Sequence, residues 1–122
     1  MSHKHIVPTV ASLALLFAAT AAFAHANLMK ATPAAGGAVA SPGEIRLKFS
    51  EELEPKFSNI ALADASGAAE PLDAPSVDPA DHAVLVARVG KTLPPGVYTV
   101  SWRAVSLDTH RTQGAFKFTV TP

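Results

Sequence analysis

Glu44-Ile45-Arg46-Leu47-Lys48-Phe49 is the stretch that decides the fold. Apolar and charged side chains alternate along it, so that every second residue is apolar. Successive side chains of a β-strand point to opposite faces of a sheet, and this alternation is therefore typical of a strand with one buried face. An amphipathic helix would need apolar residues three and four positions apart. The stretch predicts a strand in a sheet that packs on one side only.

The same pattern recurs in short runs along the chain. They lie at residues 27–31, which is the weakest, and at 59–63, 83–89, 97–103 and 115–120. Segments rich in Pro, Gly, Asp and Ser separate the runs and supply the backbone angles that turns require. Several short strands at this spacing predict an all-β domain, a small sandwich or barrel with Greek-key connections. Trp102 is predicted to lie in the core between two sheets.

The first 24 residues differ from the rest of the chain. Residues 6–23 carry no charge, follow Lys4, and end in Ala22-x-Ala24, the small-residue pattern of a signal-peptidase site. An uncleaved transmembrane anchor is the alternative, but the run is short and is interrupted by Pro8. We therefore predict a cleaved secretory signal peptide at residues 1–24 and one domain at residues 25–122.

Charge and cysteine content exclude several classes of function. The chain has 10 Lys+Arg, 10 Asp+Glu and no cysteine, so disulfides and thiolate chemistry are excluded. A nearly neutral chain predicts no basic stripe for nucleic acid and no cationic face for a membrane surface.

Two histidines suggest a metal site. Cleavage after Ala24 would make His25 the first residue, whose α-amino nitrogen and ring Nδ1 close a six-membered chelate ring on a metal. Asp108 and His110 are two residues apart, and an extended backbone would direct both side chains to the same side. The alternative for the second pair is an ordinary ion pair in a surface turn. Together with His25, however, Nε2 of His110 would complete three nitrogens in a plane, and Asp108 could add an oxygen.

This donor set predicts which metal binds. A tetragonal set of nitrogen and oxygen donors suits Cu(II), which has the highest affinity in the first-row series, whereas Zn(II) prefers a tetrahedron. Cu(I) prefers sulfur, and the only methionine after residue 24 is Met29, which we expect to pack within its strand. An α-amine and an imidazole must both lose protons to bind, so copper affinity should fall on acidification. His82 is predicted to face solvent at the start of a strand.

Several stretches of the chain form a recognisable set. They are His25 at the predicted start, Thr32-Pro33, the Leu-x-Phe-Ser-Glu of 47–51, the Gly-x-Tyr of 96–98 and the Trp-Arg-Ala-Val-Ser-x-Asp-Thr-His of 102–110. Together they resemble the CopC family of periplasmic copper-resistance proteins, over essentially the whole chain after residue 24.

The resemblance implies an immunoglobulin-like β-barrel in the periplasm that binds Cu(II) through His25, Asp108 and His110. It also matches Glu51 to an acidic residue that some members place beside the copper. Some members carry a methionine-rich loop for Cu(I), but residues 64–71 contain no methionine here, so the chain resembles the Cu(II)-only branch. Delivery to an inner-membrane copper transporter of the CopD type is a further implication.

We therefore expect a monomeric protein that holds one Cu(II) ion per chain and buffers or carries copper for resistance and homeostasis. Two alternatives stay open: a copper-dependent oxidative enzyme with a similar N-terminal histidine, and a metal-free immunoglobulin-like interaction module. A hydrolase built from Ser106, Asp108 and His110 is disfavoured, because alternate side chains of one short segment line up in a row. No Gly-x-Ser-x-Gly elbow is present either. Ser106 is instead predicted to be a turn residue that bonds to the backbone.

Overall fold

The computed structural model describes residues 26–122, which form nine β-strands and no helix. The strands are β1 Leu28–Thr32, β2 Ala38–Val39, β3 Glu44–Phe49, β4 Asn59–Ala63, β5 Ala69–Glu70, β6 Ser76–Asp78, β7 Asp81–Arg88, β8 Gly96–Val105 and β9 Arg111–Val120. Within this range no helix could span a membrane. The predicted signal peptide and His25 lie outside the described residues.

The strands form two sheets. One has four strands in the order β1-β3-β7-β6, and the other has five in the order β2-β9-β8-β4-β5. Neighbouring strands are antiparallel, except that β2 runs parallel to β9. Along the chain β2 lies in the second sheet, β3 in the first, β4 and β5 in the second, β6 and β7 in the first, and β8 and β9 in the second. The predicted all-β sandwich is confirmed.

The core lies between the sheets, where the alternation of apolar residues predicts it. In β3, Ile45, Leu47 and Phe49 are at most 1% exposed, whereas the charged residues between them are not buried. Residues 44–49 and 59–63, predicted as strands, coincide with β3 and β4. Strands β8 and β9 each extend to ten residues, beyond the predicted bounds. The three shortest strands, β2, β5 and β6, were not predicted.

Trp102 joins the two sheets. Its ring meets that of Phe49 edge to face, with centroids 5.1 Å apart and an interplanar angle of 72°. Gly114 on β9 lies directly opposite Trp102 on β8, and a Cβ atom added there would come within 2.6 Å of Cζ2 of the indole. The absence of a side chain at residue 114 therefore lets the indole lie against β9. The predicted core position of Trp102 is confirmed.

Candidate metal centre

Three segments meet at one end of the sandwich: the residues that precede β1, the loop after β3, and the turn between β8 and β9. The amide of Leu107 in the turn donates to the carbonyl of Glu52 in the loop, at 3.2 Å, and the amide of Glu54 donates to the carbonyl of Val105, at 2.8 Å. Ser106 also forms an isolated antiparallel bridge with Leu53. The turn that carries Asp108 and His110 is thus held against the loop that carries Glu51.

The backbone between Asp108 and His110 is not extended, contrary to the sequence expectation. The amide of Thr109 donates to the carbonyl of Ser106 at 2.8 Å and closes a tight turn. Thr109 has a φ of 69°, a left-handed conformation that costs a residue with a Cβ atom about 1–2 kcal/mol. The amide of Ser106 then donates to the carbonyl of His110 at 3.0 Å, which fixes the other side of the turn. Such strained residues persist only where their surroundings hold them, often at functional sites.

The turn brings the side chains of Asp108 and His110 together. Nδ1 of His110 lies 3.1 Å from Oδ2 of Asp108, while the hydroxyl of Ser106 donates to Oδ1 of the same carboxylate. The hydrogen bond from Ser106, followed by that from His110, lowers the pKa of Asp108. An ionised carboxylate facing Nδ1 favours the tautomer with the proton on Nδ1 and the lone pair on Nε2. This carboxylate–imidazole arrangement is the one that commonly orients a histidine ligand of a metal.

Ser106 has a role that the sequence did not reveal. It is 1% exposed, and its hydroxyl also lies 3.3 Å from the carbonyl of His110, so the predicted contact with the turn backbone is present. Its bond to Asp108 was not predicted, although the spacing Ser-x-Asp-x-His could have suggested it. Because this hydroxyl donates to the carboxylate, Asp108 stands between Ser106 and the imidazole. That order differs from a catalytic triad, in which the imidazole accepts the serine proton.

The first described residues lie beside this turn. Ala26 is 0% exposed, and its carbonyl accepts a hydrogen bond from Oγ1 of Thr112 at 2.8 Å. The next residue, Asn27, donates its amide to Oγ of Ser50 at 2.9 Å and accepts from the amide of Ser50 at 2.8 Å. The chain that follows His25 is therefore fixed between β9, two residues past His110, and the residue before Glu51.

The remaining candidates have separate outcomes. Glu51 is half-buried in the loop, but within residues 26–122 no three His, Cys, Asp or Glu side chains form a metal-binding group. The part of the site that the described residues contain is thus the pair Asp108 and His110.

His82 is exposed in β7, as predicted. The expectation that Met29 packs within its strand is wrong, because Met29 is 66% exposed at an irregularity in the pairing of β1 with β3.

Comparison with known proteins gives consistent matches. The family model of the CopC domain matches residues 28–121. Copper resistance protein C of Escherichia coli is 41% identical over 108 residues, which are 84% of this chain and 86% of that protein. The crystal structure of PcoC, a methionine-rich copper resistance protein from Escherichia coli, matches with a TM-score of 0.74 and 39% identity over 80% of this chain and 100% of that one. Copper transport protein CutJ of Bacillus subtilis is 29% identical over 109 residues, 88% of this chain but 20% of that longer protein.

Proposed function

The chain belongs to the CopC family, and from this premise we propose that it is a periplasmic protein that binds one Cu(II) ion and buffers or carries it. One observation carries the proposal. Nδ1 of His110 lies 3.1 Å from the carboxylate of Asp108, which presents Nε2 as the nitrogen that would bind the metal. Copper is the cargo of this protein.

His25 supplies the other nitrogen donors in this proposal. Ala26, the next residue, is held by a hydrogen bond from the hydroxyl of Thr112 to its carbonyl. Consecutive Cα atoms are about 3.8 Å apart. Thr112 itself follows His110 by two residues on the same segment. A free amino terminus at His25 would therefore start close to His110. Glu51 is proposed as an additional acidic group beside the ion, because the preceding Ser50 is bonded to Asn27.

The donor types favour Cu(II) over Cu(I). Two imidazoles, an amine and a carboxylate are nitrogen and oxygen donors, whereas Cu(I) prefers sulfur. PcoC is a methionine-rich protein, but this chain has only two methionines and no cysteine. Met29 is exposed on β1 and is a single thioether, so it does not provide the several sulfurs of a Cu(I) site.

We propose a monomeric carrier with no enzymatic activity of its own. Relatives include copper resistance proteins and one copper transport protein, and these activities move or retain a metal. Because CutJ contains a similar stretch within a longer transport protein, an inner-membrane copper transporter of the CopD type is the proposed recipient. Peroxide with a polysaccharide substrate tests the enzymatic alternative: oxidised sugars would contradict this assignment.

The donor set can be tested with a chain that begins at His25 and a second chain that carries one extra alanine before it. Electron paramagnetic resonance with one equivalent of Cu(II) should show several nitrogen couplings in the first chain and fewer in the second. A chelator competition should show much weaker binding to the second chain, because its histidine lacks the adjacent free amine. Equal spectra and affinities would refute the proposed role of His25.

Matched variants test the other ligand. His110→Ala should weaken Cu(II) binding strongly, whereas His82→Ala removes an exposed histidine from β7 and should change it little. Asp108→Asn should weaken binding about 10–100-fold, the usual effect of losing a group that orients a histidine ligand. If His82→Ala were the damaging change, the wrong histidine has been assigned.

A further inference from the structure

The outer face of the five-stranded sheet carries unneutralised positive charge. Strands β4, β8 and β9 contain Arg103, Arg111 and Lys117 and no Asp or Glu. All three side chains are exposed, and none takes part in the ion pairs found among residues 26–122. Edge strand β5 contributes Glu70, but its carboxylate is paired with Lys91 at 2.9 Å. The neutral total charge of the chain conceals this local excess.

The alternation of the strands places these cations on one face. Tyr98, Val100 and Ala104 of β8 are buried, so Arg103 between them points away from the core. Phe118 and Val120 of β9 are likewise buried. Arg111 and Lys117, at odd positions of β9, therefore point outward on the same side as Arg103.

The centre of this face is hollow. The register defines three neighbouring rows of outward side chains across β4, β8 and β9: Asn59, Arg103 and Gln113; Ala61, Ser101 and Ala115; Ala63, Thr99 and Lys117. The middle row contains only small side chains, and an open cavity of about 490 Å³ lies over it. The neighbouring row, Asn59, Arg103 and Gln113, also lines this cavity. Cations thus flank a shallow trough whose floor is the sheet.

We propose that this trough binds an extended acidic segment of a partner protein. Side chains on one side of an extended peptide recur about every 7 Å, and the rows of the sheet recur at the same spacing. Arg111 and Arg103 lie in neighbouring rows and Lys117 lies two rows beyond Arg103, so glutamates two and four residues apart could meet them. An arginine can bind a carboxylate through two parallel hydrogen bonds. The amides of Asn59 and Gln113 could donate to the backbone of the segment.

A second copy of this chain fits the trough less well. Its densest acidic stretch, residues 51–54, is already hydrogen-bonded within the fold. The amide of Leu53 donates to the carbonyl of His82 at 3.1 Å, and that of Glu54 donates to the carbonyl of Val105 at 2.8 Å. A foreign segment is therefore the better occupant. Arg111 directly follows His110, so a partner bound here would reach the end of the sandwich that carries Asp108 and His110. The inference itself does not depend on copper.

Fluorescence anisotropy of a labelled decapeptide of alternating Glu and Ser, with the Gln-Ser peptide as control, tests the proposal. The protein should bind the acidic peptide and not the neutral one. Because each exposed ion pair contributes about two- to fivefold in affinity, Arg103→Gln combined with Arg111→Gln should weaken binding about tenfold. The matched control, Lys30→Gln with Arg88→Gln, removes the same charge from exposed positions of the other sheet and should change binding less than about twofold.

Other results would overturn the assignment. Equal weakening by both double variants would mean that the peptide senses only net charge. Binding that persists in 1 M salt, where the screening length is about 3 Å, would exclude an electrostatic trough. Stronger binding to phosphatidylglycerol vesicles than to the peptide, lost in the same variant, would point to a lipid surface. Self-association in sedimentation that the Arg103→Gln, Arg111→Gln variant abolishes would identify a second copy as the occupant.

Unchanged unfolding midpoints of both double variants would confirm that they remain folded.

Discussion

The outer faces of the two sheets handle their positive charges in opposite ways. On the four-stranded sheet Arg46 is bonded to Asp78 and lies 3.3 Å from Glu44, and Lys48 lies 2.8 Å from Asp81. On the five-stranded sheet the outward cations have no acidic neighbour on β4, β8 or β9. On the first face acidic side chains pair with two of the cations, Arg46 and Lys48. Strands β4, β8 and β9 offer no acid to theirs, which leaves those cations available to another molecule.

The difference follows from which charged residues lie on the same face of each sheet. Arg46 and Asp78 are far apart in sequence, but β3 and β6 both pair with β7, which brings them to the same side of one sheet. On the other sheet Arg103 lies between Asn59 and Gln113, which can form hydrogen bonds but carry no charge. An ion pair between exposed side chains stabilises the fold only weakly. The absence of such ion pairs around Arg103 therefore costs the fold little.

The largest effect should come from adding one methyl group to the five-stranded sheet. Gly114→Ala would place a Cβ atom 2.6 Å from Cζ2 and 3.0 Å from Cε2 of Trp102, and the rigid indole cannot yield easily. We expect a loss of about 1–3 kcal/mol in the free energy of unfolding, measured in urea. A Cβ atom added at Gly43, just before β3 of the four-stranded sheet, would meet no atom within 4 Å. Gly43→Ala should therefore change the free energy of unfolding by less than about 1 kcal/mol. Equal effects would contradict the packing of Trp102.

A smaller effect should appear when an ion pair of the four-stranded sheet is removed and the free energy of unfolding is followed as a function of pH. The hydrogen bond from Arg46, followed by that from the amide of Ala80, lowers the pKa of Asp78. A carboxyl whose pKa is lower in the folded state stabilises the fold above its unfolded pKa, about 3.9, and this contribution is lost as the pH falls through the folded value. Asp78→Asn should therefore reduce stability at neutral pH, and the difference from the wild type should vanish in acid.

Urea unfolding at a series of pH values would measure this difference. Asp73→Asn is the control, because Asp73 is exposed and belongs to none of the ion pairs in the described part of the chain. A constant difference between Asp78→Asn and the wild type at all pH values would contradict the assigned role of its charge.

The smallest expected effect comes from a comparison of one arginine on each face. Arg46→Gln removes two ion pairs, but the side chain is more than a third exposed, so we expect a loss of less than about 1 kcal/mol. Arg103→Gln removes the same charge from the unpaired face and should leave thermal stability unchanged. If Arg103→Gln were the more destabilising substitution, Arg103 would have a structural partner and the trough would lose its free charge.

The sequence was sufficient for the strands that bury one face. Alternation predicts β3 and β4 to the residue, because each buried side chain there contributes to the core. Strands β2 and β5 have two residues each, too few for any alternation to be visible. They exist because β9 and β4 offer open edges for pairing, which is a tertiary effect.

The candidate site was predictable in composition but not in geometry. The spacing of Asp108 and His110 correctly brought the pair together, but the left-handed Thr109 replaced the expected extended backbone. Threonine rarely adopts that conformation, so nothing local predicts it. The buried hydroxyl of Ser106 was likewise invisible, because its contact with Asp108 depends on the turn. His25 lies outside the described residues, and its role stays a prediction.

The arrangement of long and short strands has one more consequence. The ten-residue strands β8 and β9 are interior, and the five-stranded sheet ends in β2 and β5, which have two residues each. A sheet recruits foreign strands through long rows of unpaired amide and carbonyl groups at its rim, and very short rim strands are a common defence against such aggregation. Here β2 pairs only with Thr119 and Val120 of the ten-residue β9, so among the described strands nothing else pairs with that edge of β9. Templated growth would therefore have to begin along the first part of β9 rather than at β2 or β5.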